Sequence, residues 1–318
     1  MSKVIISGIS GQDAAFLSKK LISLNYHVYG ITRSIKSFDN SNLKKLGIET
    51  KVNIVECDLC DPNSVNQILH DISPKIIFNL SGQSSVGQSH WDGINTLNSN
   101  ILPVLNILEF IRANQVNIKF YQASSSEIFG NTEQLPIKIN SIQNPNSPYG
   151  ISKSIALEII RCYREAYNIF ACSGILFNHE SHLRDNRFFL KKLIKQSVDI
   201  KKGKSAVIKL GNLNVYRDFG SAEEYMDGVI KIIDHSEPND FIICTGKATK
   251  LEDIVKYVLN KLSLDYSVIE IDKTLQRNSE IQINYGDNSR TEEILGWSPS
   301  KTIYSVIDEM IDKEYLLS

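Results

Sequence analysis

Cysteine is scarce in this 318-residue chain: there are five, an odd number at irregular spacing. That excludes a disulfide framework and fits a reduced cytoplasm. Cys57 and Cys60 form the single CxxC, with no second pair or nearby histidine to complete the four ligands zinc requires. His179 and His182 stand three residues apart without a third ligand in sight, so no metal is expected. Long apolar runs are missing as well. None approaches the ~18 residues of a membrane helix, and MSKVIISGIS enters a strand-like run without a charged or cleavable leader. Strong charge of either sign is absent too. A net charge of −1 excludes a nucleic-acid coat or an anionic membrane surface as partner. Any phosphate must therefore be held by a local cluster. What remains, 42% hydrophobic and 22% charged residues, is the composition of a soluble globular enzyme.

The first half alternates short apolar runs with amphipathic stretches, the rhythm of a parallel sheet covered on both faces. Strands are expected at Val4–Ser7, Val28–Thr32, Val52–Glu56, Lys75–Leu80, Ile118–Ser124 and Phe170–Phe177. Helices are expected after Gly11, through Val65–Ile72, through Leu97–Ala113, and from Tyr149 to about Ala166. Downstream the pattern loosens into polar loops around Arg184–Phe188 and Gly211–Gly220. Phe241–Cys244, a helix from Leu251 and a last helix from Ile303 come next. The expected fold is α/β: a Rossmann-type doubly wound parallel sheet over residues 1–177, with a smaller α/β substrate lobe over 178–318 and some chain crossing back.

Between the first strand and first helix lies Ser7-Gly8-Ile9-Ser10-Gly11-Gln12-Asp13-Ala14. Gly8 permits a tight turn, Gly11 lets a pyrophosphate approach the backbone, and Ala14 lets helix and strand touch. The amides of this turn and helix N-terminus, from Gly8 and Ser10 through Gly11, Gln12 and Asp13, would face the phosphates of a dinucleotide. Arg33, at the end of the second strand, suits a 2′-phosphate and favours NADP over NAD, although a solvated surface arginine would look the same. Asp58 and Leu59 would meet the adenine edge, and Leu80 the nicotinamide side.

Tyr149 and Lys153 stand at i, i+4, on one face of a helix. An ammonium beside a phenol favours phenolate, a base able to deprotonate a sugar hydroxyl while hydride leaves its carbon. Ser124-Ser125-Ser126-Glu127 precedes them at a strand end. Hydride transfer alone needs no carboxylate there. Elimination does, because oxidation at C4 makes the C5 proton acidic. A glutamate on a surface turn would look the same, and spacing leaves both readings open.

At these residues the chain closely resembles the GDP-mannose 4,6-dehydratase family. The likeness runs through Ser7–Ala14, Phe120–Ser124 and Ser147–Gly150. It continues through Arg164–Asn168, Gly174–Ser181, Leu210–Leu213 and Arg217-Asp218. The resemblance implies Ser125, Glu127, Tyr149 and Lys153 as the catalytic set, with serine for the usual threonine. It also implies a GDP-sugar held by Ser84, Ser126, Asn178, Lys192, Arg217, Arg277 and Glu280. The expected product is a 4-keto-6-deoxy sugar made without net use of NADP. His182-Leu183 replaces the family's Pro-Arg, Arg187 replaces an asparagine, Asn278 replaces a proline, and a segment after Ile271 is shorter. These departures fall in the hexose half, so GDP-mannose and GDP-N-acetylglucosamine both stay open. The stretch Arg33–Phe38 resembles the family loop that reaches a neighbouring subunit's cofactor, which implies a homotetramer, with a dimer as the smaller option. A 4-keto-sugar reductase or epimerase would use Tyr149 and Lys153 without Glu127, and a silent NADP-binding protein would use neither.

Overall fold

The computed structural model describes residues 1–276 and 279–317. Arg277, expected to hold substrate, lies outside the described residues, as does Asn278. Six parallel strands alternate with helices: β1 (Lys3–Ser7), β2 (His27–Thr32), β3 (Val52–Glu56), β4 (Ile76–Asn79), β5 (Lys119–Ser125) and β6 (Ala171–Leu176). The intervening helices are α1 (Gln12–Ser23), α2 (Ser41–Lys45), α3 (Pro62–Ile72), α4 (Val86–Ser89), α5 (Gly93–Asn114) and α6 (Pro148–Tyr167). A seventh strand, Asp240–Ile243, returns to pair with β6, giving the order Asp240–Ile243, β6, β5, β4, β1, β2, β3. The order reverses between β1 and β4. In open α/β sheets the crevice beyond such a switch point is where ligands bind.

The strands are apolar throughout because both faces are covered. Val4 and Ile6 of β1 point into one core with Ala14, Leu17, Tyr225 and Val229, while Ile5 points into the other with Val104, Leu108, Ala156 and Ile160. Local chemistry sets the helix starts. Asp61 caps α3 by accepting from the Asn63 and Ser64 amides, with Pro62 at the first helical position. Ser147 does the same for α6, its hydroxyl accepting from Gly150 N at 3.0 Å ahead of Pro148.

After β6 the chain enters ground where the sequence rhythm suggested loops. Phe189–Lys201 and Ala222–Asp234 are helices, and the expected loop at 211–220 contains two short strands, Tyr216–Arg217 and Phe219–Ser221. Ala222–Asp234 packs on α1 and belongs to the first core. Phe189–Lys201, Leu251–Leu262 and Ile303–Leu317 build a separate core around Leu193, Ile254, Val258 and Ile307. The strand Asn178–Glu180, paired with Phe219–Ser221, carries the chain past the start of α1, where His179 meets Gln12 and Asp13.

Candidate active site

The glycine turn is shaped for close approach. Gly8 has φ +71, and a Cβ there would meet the Leu80 carbonyl oxygen at 2.8 Å, so the turn needs glycine and abuts the end of β4. Gly11 provides no side-chain cap for α1. The first amides of this 12-residue helix therefore have no capping oxygen and point at the crevice, an arrangement that fits a pyrophosphate. The Gln12 and Asp13 side chains turn away from it. Gln12 Nε2 donates to His179 O at 3.0 Å, and Ser181 donates to Gln12 Oε1 at 2.8 Å. Asp13 Oδ2 lies 3.0 Å from His179 Nε2. Asn42 bridges the Ser10 and Leu183 carbonyls at 3.0 and 3.2 Å. Gln12 and Asp13 through their side chains, and Ser10 through its carbonyl by way of Asn42, thus connect the turn to the strand Asn178–Glu180 and to the residues just after it.

Arg33 is exposed at the end of β2, and its charge reaches Cys60 at the end of β3. Asp58 is exposed and accepts from Cys60 N, while Leu59 packs its side chain into the core and gives its carbonyl to Asn106. A guanidinium beside these two strand ends fits an adenosine carrying a 2′-phosphate. Beneath the crevice a buried polar row crosses the sheet. Ser7 donates to Asn79 at 2.5 Å, Asn79 to Gln122 at 2.7 Å, and Ser173 to the Gln122 carbonyl at 2.9 Å. Such side chains read as interrupted apolar runs in sequence, with nothing to reveal that they pair.

Ser125, at the end of β5, caps the short turn of helix Ser126–Phe129 by accepting from Glu127 N at 3.3 Å. Its hydroxyl is also near enough to the Tyr149 phenol to favour the ionised form. The half-buried Glu127 is close enough for its charge to act on the same phenol. Lys153 Nζ, itself buried, sits 5.9 Å from the Tyr149 ring centre and donates to Ala123 O at 2.9 Å. The four expected catalytic residues are therefore together. Their electrostatics differ from the simple expectation of a phenol lowered by its lysine. Burial pushes Tyr149 up to about 12, with Glu127 adding to the rise and Ser125 and Arg184 opposing it. Burial also brings Lys153 down to about 8. In a dry crevice both charged forms are disfavoured, and the phenol here is a proton holder awaiting a further positive charge.

The substrate-side residues are spread more widely. Ser84 is exposed beyond β4, and Ser126 is buried behind Glu127. Asn178 is half-buried on its strand. Arg217 is buried and pairs with Glu280 at 3.0 Å. Lys192 reaches outward instead, to the Lys209 carbonyl at 2.8 Å. Sequence reasoning passed over Arg184. Its guanidinium stacks 3.7 Å from the Phe188 ring centre, lies 3.5 Å from the buried Glu180, and acts electrostatically on Tyr149, Asp13 and His179. The two histidines considered as metal ligands have other partners: His179 the Asp13 carboxylate and the Tyr225 ring, His182 the Phe16 ring.

Residues 5–310 match the family model for GDP-mannose 4,6 dehydratase. This chain belongs to that family. The GDP-mannose 4,6-dehydratase of Yersinia enterocolitica is 31% identical, over 98% of this chain and 93% of that protein. Among solved structures, dTDP-glucose 4,6-dehydratase from Bacillus anthracis in complex with NAD superposes with a TM-score of 0.87 at 15% identity, covering 100% of this chain and 97% of that one. RMD from Pseudomonas aeruginosa in complex with NADPH gives 0.82 at 20% identity, covering all of both chains. At these identities the two structures speak for the fold. Family membership makes the protein a nucleotide-sugar 4,6-dehydratase, a hydro-lyase.

Proposed function

We propose that the protein converts GDP-mannose to its GDP-4-keto-6-deoxy sugar, using NADP. The carrying observation is the convergence of Ser125, Glu127 and Tyr149, with Lys153 behind them. Bound NADP supplies the hydride acceptor for C4 and the donor that returns hydride to C6. The chain's own residues move the protons. Tyr149 acts as phenolate, its charge favoured by Ser125 and the Lys153 ammonium, and is neutralised as it takes the O4 proton while the C4–H bond breaks. Lys153, fixed by the Ala123 carbonyl, keeps its ammonium beside the ring. The new C4 ketone acidifies C5–H. Glu127 removes that proton and passes one to the departing C6 hydroxyl, so C5–H and C6–O break and water leaves. After hydride reaches C6, a proton returns to C5. The balance is loss of one water with no net oxidation.

Arg33 supports NADP over NAD, because an exposed guanidinium just past the second strand could pair with a 2′-phosphate. Arg217 and Glu280 are assigned to the GDP moiety, together with Asn178 and Lys192. The loop Arg33–Phe38 is assigned to contact between subunits of a homotetramer, or at least a dimer, and the compartment to the cytoplasm.

The test is to incubate the purified protein with GDP-mannose, and in parallel GDP-N-acetylglucosamine, without added NADPH, and to follow product mass. A product lighter by one water supports elimination. Turnover only with stoichiometric reductant would replace this reading by a ketoreductase, which needs no Glu127.

A further inference from the structure

The segment Ser279–Asp287 lies between two parts of the site that are far apart in sequence. On one side it pairs with the strand holding Arg217. Tyr216 N donates to Gln282 O at 2.8 Å and Asp218 N to Asn284 O at 2.9 Å. On the other side it is fastened to the loops that follow Glu127 and precede Tyr149. Ile137 N donates to Tyr285 O at 3.0 Å, and Asp287 N to Ile137 O at 2.8 Å. Ser279 donates to Asn146 O at 2.8 Å, one residue before the cap of α6. Ile281 and Asn284 are buried beneath the ribbon.

One side chain fastens the middle of this ribbon. Asn131 Nδ2 donates to Glu280 O at 3.1 Å, and its Oδ1 accepts from Gln282 N at 3.0 Å. A single carboxamide thereby plays the part of a neighbouring strand. Four residues beyond Glu127, it grips the backbone on both sides of Ile281, including the backbone carbonyl of Glu280, whose side-chain carboxylate pairs with Arg217.

We propose that Asn131 is a positioning residue for the nucleotide end of the substrate, locking the Arg217–Glu280 pair to the loop that carries Glu127. The proposal rests on the functional reading above, in that Arg217 and Glu280 hold the GDP moiety. Remote binding energy serves catalysis only when the binding groups and the reacting groups are rigidly connected. Asn131 supplies that connection from the surface, where it is exposed and contributes nothing to the core.

Asn131→Ala should weaken GDP binding, measured by calorimetry, by about tenfold, the size of one to two neutral hydrogen bonds lost. KM for GDP-mannose should rise in parallel, while the affinity for NADPH stays at the wild-type value. A folded variant with unchanged GDP affinity overturns the proposal, as does equal weakening toward NADPH, which would mark general loosening. A second measurement needs no variant. In wild type, GDP should slow amide hydrogen exchange in 131–137 and 279–287 together, and protection confined to 215–218 would also overturn it. The two readings fail separately. Wild type that binds GDP but releases no water ends the dehydratase reading and leaves Asn131 to be judged by binding alone. Wild type that does not bind GDP ends both.

Discussion

His179 Nε2 lies 3.0 Å from Asp13 Oδ2, joining the first turn of α1 to a strand 166 residues later. Burial would lift the Asp13 carboxyl, but the charge and hydrogen bond of His179, with help from Arg184 and Gln12, outweigh it and hold the group below 3.8. Burial would likewise lower His179, and Asp13 outweighs it, so the imidazole is raised above 6.5. Between pH 3.8 and 6.5 both groups are therefore charged and form an ion pair. The depressed carboxyl contributes stability that is lost as pH falls through its folded value, below 3.8. The raised imidazole contributes stability fully present below 6.5 and lost as pH rises through its folded value.

Asp13→Asn should therefore cost about 1.5–3 kcal/mol at pH 6, the range for a hydrogen bond to a charged group. The cost should shrink toward pH 9. Urea unfolding of wild type and variant at the two pH values checks this, and an equal cost at both would mean that the contact is neutral. Because Gln12 and Asp13 tie the phosphate-facing turn to the second lobe, the variant should also bind NADPH more weakly.

That tie marks where sequence reasoning stops. The strands of the central sheet were visible as apolar runs, because burial on both faces leaves no alternation to misread. The helix Ala222–Asp234 carries its own start signals, Ser221 as cap and Glu223 and Glu224 in the first turn. Its task of presenting Tyr225 to His179 at 5.0 Å is invisible, since the partners are 46 residues apart and on different elements. The neighbourhood shared by Ser125, Glu127, Tyr149 and Lys153 was legible because i, i+4 spacing and a strand end already fix it. Arg184 was not, since it acts through a loop whose path depends on Phe188 and Glu180. The expected lowering of Tyr149 failed for a related reason: spacing can reveal a neighbouring charge but not the depth of burial, which here dominates.

In the proposed mechanism Glu127 has a role that hydride transfer does not need. Glu127→Gln should reduce water loss by about 10²–10⁴, the usual worth of a positioned general base. NADPH affinity should be unchanged. Single-turnover mass analysis with GDP-mannose tests it, and dehydration at the wild-type rate would remove Glu127 from the mechanism. Since Glu127 also raises the Tyr149 phenol, the variant should bring that phenol's titration to lower pH.

Arg33 is the residue proposed to set the preference between the two cofactors. Arg33→Ala should weaken NADP binding by about 10- to 100-fold, the worth of one charge-assisted contact to phosphate. NAD binding should hardly change, as it has no 2′-phosphate. Fluorescence titration with NADPH and NADH reads both, and parallel losses would assign Arg33 to the general shape of the loop instead.

Lys153 is the residue at which stability and activity should part. Burial brings its ammonium from 10.5 down to about 8. Below about 8 both folded and unfolded chains hold the proton, so the full cost of burying the charge is present. Between 8 and 10.5 the folded chain has released its proton and the cost fades, and above 10.5 it is gone. The shift corresponds to a cost on the order of 3 kcal/mol at pH 7. Lys153→Met removes that cost and keeps the apolar stem, at the loss of one hydrogen bond to Ala123 O. It should unfold at higher temperature than wild type at pH 7, with the gain disappearing by pH 10, and it should lose dehydratase activity. In wild type, kcat/KM should fall as pH rises through about 8, as the free enzyme loses the ammonium beside Tyr149. Calorimetry of both proteins across this range decides it. A variant less stable than wild type at pH 7 would mean that the ammonium is stabilised by its surroundings and stays charged well above pH 8.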